Sequence, residues 1–225
     1  MKRKKDKKPK STMQKIWYFI WYDDSILSWI VNVILAFLIV KFVFYPLLSL
    51  TLGTSLPLVA VTSPSMEHRP MIENNMNVMC GVPTQETGRQ NIDDWWSTCG
   101  PWYEENKNIT LQDFRNFPLR NGFNKGDIIL LRSPRNLEVG DVIVFESGKK
   151  YPIIHRIVKI TDDAIMTKGD NNAGLIRDSE LDETNIQREA LLGKAYARIP
   201  YLGYIKIWFT DFINLFMSSE EGVVV

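Results

Sequence analysis

The pattern of apolar and polar positions divides the chain into unlike parts. Between Asp24 and Glu67 a single charge occurs, Lys41, and residues 26–40 are almost wholly apolar, with a continuation over 42–50. A helix over 25–50 would be about 39 Å long at ~1.5 Å per residue. The hydrocarbon core of a bilayer is ~30 Å, so such a helix spans it with tilt. Lys41, sixteen residues after Ser25, can snorkel to the far interface. Trp17, Tyr18, Trp21 and Tyr22 stand where an interfacial aromatic belt would lie. Beyond this run the period changes. The stretches 56–62, 127–132, 141–145, 153–160, 164–167 and 191–199 are short and rich in Ile and Val, punctuated by Gly126, Gly140, Gly148, Gly169, Pro134 and Pro152. They read as strands of a mainly β, strongly coiled sheet or barrel over residues 53–200.

Two segments break this scheme. Residues 71–121 are polar yet hold Trp95, Trp96, Trp102 and Tyr103, which predicts an insert with its own small core, or a docking surface. The insert also holds Cys80 and Cys99, the two cysteines of the chain. On the oxidising side of a membrane they can form a disulfide, and closing about twenty residues would add roughly 3 kcal/mol; two buried thiols are the alternative. Asn108, Ile109 and Thr110 form a glycosylation sequon. Residues 203–217 are apolar but carry Lys206 and Asp211, which favours a helix lying in the interface over a second, short span.

Charge sharpens the picture. The chain of 225 residues has net charge +1, which by itself argues against a strongly charged partner surface. The sum hides a split, because residues 1–16 carry eight Lys/Arg against Asp6 alone, leaving 19 bases and 25 acids elsewhere. A +7 tip before an apolar helix is a retention signal that keeps residues 1–24 cytoplasmic and sends the acidic body outward. A cleaved signal peptide is the rival, but both the basic and the apolar regions are long for one. The topology signal accounts for the basic tip without a nucleic-acid partner.

Candidate chemistry is sparse. Only His68 and His155 can act as imidazole bases, and two Cys and two His do not fall at zinc-ligand spacing. Ser63, Pro64, Ser65 and Met66 end the first apolar strand, His155 sits within a strand, and Gly169, Asp170, Asn171 and Asn172 form a turn-like box. Each alone reads equally well as structure.

In order, however, these segments resemble type I signal peptidases, membrane-bound proteases that remove secretory signal peptides. The matching pieces are Ser65–Met66, the Gly126–Asp127 and Gly140–Asp141 pairs that open strands, and the box from Gly169 to Asn172. A histidine before Arg156, where bacterial members carry lysine, is similar to the archaeal and endoplasmic-reticulum branch. The resemblance implies a serine endopeptidase acting on secretory preproteins after small residues, in a cell membrane or endoplasmic-reticulum-type membrane. Ser65 would be the nucleophile, His155 the general base, and Asp178 or Asp170 its carboxylate partner. Ser63 and Ser65 would supply the oxyanion site, and Met66 would lie at the substrate. No metal or organic cofactor is implied. Pro64 departs from the family's usual glycine, and the 71–121 insert exceeds its minimal core. A base at Lys168 or Lys159, and a non-catalytic membrane-anchored adaptor, stay open as alternatives.

Overall fold

The structure, a computed structural model, describes residues 11–204 and Trp208. The basic tip over 1–10 and nearly all of the 203–217 segment lie outside the described residues. The chain divides into two compact units, residues 1–51 and 52–225.

The first unit is helical. Helix α1 (Thr12–Tyr22) begins with a capping box between Ser11 and Gln14. Helix α2 (Ile26–Ile39) begins at Ser25, whose side chain accepts from the Ser28 N–H. Ser28 Oγ donates to Phe19 O (2.6 Å) and Asn32 Nδ2 to Ile20 O (2.8 Å), bracing α2 against α1. A π-helical turn, Val40–Phe44, joins α2 to helix α3 (Tyr45–Leu52). Pro46 lies just past the turn; it has no N–H and its ring crowds the carbonyl four residues back, a known cause of such bulges. The continuous helical segment Ile26–Leu52 has 27 residues and is long and apolar enough to cross a membrane.

The second unit is built on a six-stranded antiparallel sheet. Its strands are β1 (Leu58–Ala60), β5 (Ile128–Arg132), β6 (Val142–Phe145), β7 (Ile153–Ile160), β8 (Ile165–Lys168) and β9 (Leu191–Ile199), in the order β1-β5-β9-β6-β7-β8. All six fall on the Ile- and Val-rich stretches. Register shifts at Leu130/Leu131, Val144/Phe145 and Ile157/Lys159 mark bulges, which raise the local twist of a sheet. Val61, Met66, Ile129, Leu131, Val142, Val144 and Ile154 form one buried core, and Ile143, Phe145, Ile157 and Ile165 a second.

The insert holds more regular structure than its polar composition suggests. It contains a three-stranded antiparallel sheet of β2 (Met71–Glu73), β3 (Met76–Met79) and β4 (Val82–Pro83), then helices α4 (Ile92–Lys107) and α5 (Leu111–Asn116). Asn91 caps α4 by accepting from the Asp93 and Asp94 N–H groups. Trp95, Trp96, Cys99 and Tyr103 lie on the buried face of α4. With Phe114 and Met79 they form a core that takes in Val158 of β7, so the insert is packed onto the six-stranded sheet. Cys80 and Cys99 are joined in a disulfide.

Candidate active site

Ser65 owes its position to a tight turn. The carbonyl of Pro64 accepts the Glu67 N–H (2.9 Å), leaving Ser65 and Met66 at the turn's centre. A residue that only accepts there has no need of an N–H, so Pro64 is tolerated. Ser65 stays partly exposed while Met66 is buried. The Ser65 carbonyl is held by the Asn171 N–H at 2.8 Å.

His155 projects from β7, whose residues pair with β6 in the register Ile143↔His155. Its Nε2 lies 3.0 Å from Ser65 Oγ, and its Nδ1 lies 2.5 Å from Glu183 Oε1. A carboxylate can only accept, so Nδ1 carries the proton and Nε2 is free to take one from the serine hydroxyl. Glu183 is fully buried and firmly placed: Oε2 accepts the Ile176 N–H (2.6 Å) and Oε1 the Thr167 hydroxyl (3.2 Å). A hydroxyl, a correctly oriented imidazole and a carboxylate in this chain are the arrangement that activates a serine nucleophile. Ser63 Oγ stands 3.1 Å from Ser65 Oγ.

The expected carboxylate partners of His155 are therefore corrected. Asp178 is exposed, with Oδ1 accepting the Glu180 and Leu181 N–H groups (both 2.8 Å) and Oδ2 facing Lys149 Nζ at 3.1 Å. Asp170 is buried, but its oxygens are already occupied. Oδ1 accepts from Arg156 Nε (2.8 Å) and the Tyr103 hydroxyl (3.2 Å), and Oδ2 from Arg156 Nη2 (2.7 Å) and His68 Nε2 (3.1 Å). Burial alone would push the Asp170 pKa up; the Arg156 guanidinium overrides this and holds the carboxyl far below the usual range. Arg156 spends its remaining N–H groups on the carbonyls of Pro118, Gly140 and Leu119. Asp170 and Arg156 are thus the buried joint between β7, the 169–172 box and the insert.

Met66 also departs from expectation. It has no exposed surface, packs in the sheet core, and its Sδ lies 3.3 Å from the Asp170 N–H. It shapes the turn from below and does not line the open groove. His68 is no rival base: its Nε2 is committed to Asp170, and its ring stacks on Trp95 with centroids 3.9 Å apart. Burial lowers its pKa against the pull of Asp170, so the ring is neutral near pH 7. Lys168 Nζ reaches main-chain carbonyls, and Lys159 lies on the outward part of β7, so neither meets the serine through a described hydrogen bond. Among the described residues no group of three or more His, Cys, Asp or Glu side chains could hold a metal ion.

A groove of 340 Å³ is lined by Val59–Thr62 and Tyr151–Ile154 together with Ser65 and His155. β1 is an edge strand of the sheet, so backbone groups along it are free of a second strand partner.

Sequence reasoning missed Glu183. Glu183 sits beside a second acid in the polar run Asp182–Asn185, and only the fold sets it apart, where the Thr167 N–H meets the Glu183 carbonyl (3.0 Å).

No protein-family model matches the chain. Among curated proteins it is similar to the signal peptidase complex catalytic subunit of Colletotrichum graminicola, 36% identical over 117 residues, covering 46% of this chain and 66% of that protein. The corresponding subunit of Pyricularia oryzae is 36% identical over 101 residues, covering 40% and 57%. That of Plasmodium falciparum is 31% identical over 100 residues, covering 40% and 53%. The chain thus spans between about half and two thirds of the length of these relatives. By its relatives, its mainly antiparallel β fold and its apolar N-terminal helix, the chain belongs to the type I signal peptidase family of the endoplasmic-reticulum kind.

Proposed function

We propose that the chain is a membrane-anchored serine endopeptidase that cleaves signal peptides from secretory preproteins. The observation that carries this reading is the continuous hydrogen-bonded line from Ser65 Oγ through His155 to Glu183, whose first two members line an open groove.

In this mechanism an extended substrate segment lies in the groove and pairs with the free edge of β1. Ser65 Oγ attacks the scissile carbonyl as its proton passes to His155 Nε2. Glu183 holds the ring in the tautomer that can accept it and stabilises the imidazolium. The leaving amine takes the proton from His155, and a water molecule, deprotonated by the same nitrogen, then hydrolyses the acyl-enzyme. The Ser63 hydroxyl and the Ser65 N–H are proposed donors to the oxyanion; loss of one such donor typically costs roughly 3 kcal/mol of transition-state stabilisation. A shallow groove walled by Val59 and Val61 suits small side chains before the cut.

The span Ile26–Leu52 is proposed to anchor the peptidase, with the tip over 1–10 cytoplasmic and the acidic body outside, where preproteins emerge. The relatives are named as catalytic subunits of a complex, and we propose a complex for this chain as well.

The test supplies a preprotein to the purified chain and reads the cut site by mass. Wild type is expected to release the signal peptide after a small residue, and Ser65→Ala and His155→Ala to leave the preprotein intact. Undiminished processing by either variant would overturn the assignment. If instead wild type binds preproteins and cuts none, the adaptor reading replaces it.

A further inference from the structure

Neither the line from Ser65 to Glu183 nor the Arg156–Asp170 pair gives a role to the fully buried Lys168. Lys168 ends β8 and has no exposed surface. Its ammonium lies 4.9 Å from the ring centroids of both Trp102 and Tyr103 on α4. It donates to the carbonyls of Gly169 (3.1 Å) and Asp170 (3.4 Å), and no carboxylate among the described residues forms an ion pair with it.

Those carbonyls belong to the turn on which the catalytic pair is set. One residue on, the Asn171 N–H holds the Ser65 carbonyl at 2.8 Å. Gly169 faces the imidazole closely enough that a Cβ there would lie 2.9 Å from His155 Nε2. We propose that Lys168 is a positioning residue, whose ammonium, caged by Trp102 and Tyr103 of the insert, fixes the 169–171 turn against Ser65 and His155 and thereby sets the rate of cleavage. This rests on the peptidase reading and extends it: the insert then contributes to turnover through a cation–π cage instead of only covering the sheet.

The electrostatic setting agrees. The charged groups that face Lys168 are Asp170 and Glu183, which favour its charge, and Arg156, which opposes it; from α4 come the Tyr103 hydroxyl and Lys107, whose Nζ lies 5.9 Å from the Trp102 ring centroid. Burial dominates and brings the Lys168 pKa down to about 8. A folded-state pKa below the unfolded one means that the charged lysine opposes folding below about pH 8, and that this cost is relieved as pH rises toward the unfolded value. A cation retained at a cost in stability beside a catalytic pair is what a positioning role entails.

The experiment compares full-length wild type, Lys168→Met and Lys168→Arg for preprotein cleavage and for thermal unfolding, both between pH 6.5 and 9.5. Wild-type kcat is expected to fall on the alkaline side with a midpoint near 8. Lys168→Met should show kcat at least tenfold lower at pH 7, KM within about threefold, no such alkaline fall, and a Tm equal to or above wild type. Lys168→Arg, charged throughout this range, should keep more activity than Lys168→Met and also lack the fall. Wild-type kcat with an unchanged alkaline limb in either variant overturns the proposal, as does Lys168→Met that loses only stability. Absence of cleavage by wild type would instead overturn the peptidase reading, while the pH dependence of Tm would still report whether the buried lysine is charged at a cost.

Discussion

Glu183 decides how the site works at the scale of single residues. It fixes the imidazole tautomer, and Gln can keep one acceptor but offers the wrong donor to Nδ1. Glu183→Gln is expected to lower kcat by on the order of 10²–10⁴-fold, in line with the loss of an orienting carboxylate in serine proteases, whereas Asp178→Asn should stay within about twofold. Preprotein turnover measures both, and equal losses in the two variants would contradict the assignment. Ser65 and His155 were legible because their residue types are scarce and sit in order with the Gly-Asp boxes. Glu183 was not, since its approach to His155 depends on a loop returning across Thr167. Asp170 misled for a definite reason: a buried aspartate in a Gly-Asp box looks catalytic, yet four donors already occupy its oxygens.

At the scale of elements, the 169–172 turn and the buried Arg156–Asp170 pair join β7 and β8 to the insert. Gly169→Ala would place a methyl group 2.9 Å from His155 Nε2 and 2.6 Å from Asn172 Nδ2. A kcat loss of roughly 10²-fold is expected for displacement of that order, read as turnover with folding checked by circular dichroism. Asp170→Asn leaves the Arg156 charge buried without its partner, which typically costs about 3–5 kcal/mol and is measurable by urea unfolding. Because the folded-state pKa of Asp170 is depressed, its contribution is present above the ordinary aspartate pKa of ~3.9 and fades as pH falls below that toward the folded value. Unfolding curves of wild type should therefore weaken below about pH 4 more steeply than those of Asp170→Asn. The strands themselves were readable from the alternating Ile and Val stretches. Helix α4 was not, although Trp95, Cys99 and Tyr103 repeat at helical spacing: Gly100, Pro101 and a polar outer face hid the period, and packing on Val158 stabilises what propensity alone would not.

For the whole molecule, the charge split and the apolar span carry the account of where the proposed peptidase would work. In sealed vesicles whose cytoplasmic face points outward, a tag before Met1 should be digested by added protease while the body from residue 53 is protected, and a protected tag with a digested body would contradict the reading. The Cys80–Cys99 disulfide belongs to the same picture, because such a bond persists on the oxidising side. Replacing both cysteines by serine should lower stability by about 3 kcal/mol, seen as a lower urea midpoint.

The central claim is that Ser65 Oγ is the nucleophile that becomes covalently acylated. Acid-quenched mixing of the purified chain with a preprotein, followed by peptide mapping by mass, tests it directly. The account predicts the signal peptide ester-linked to the fragment that contains Ser65, and no adduct and no cleavage in Ser65→Ala. Full processing by Ser65→Ala, or an adduct on any other residue, would contradict it.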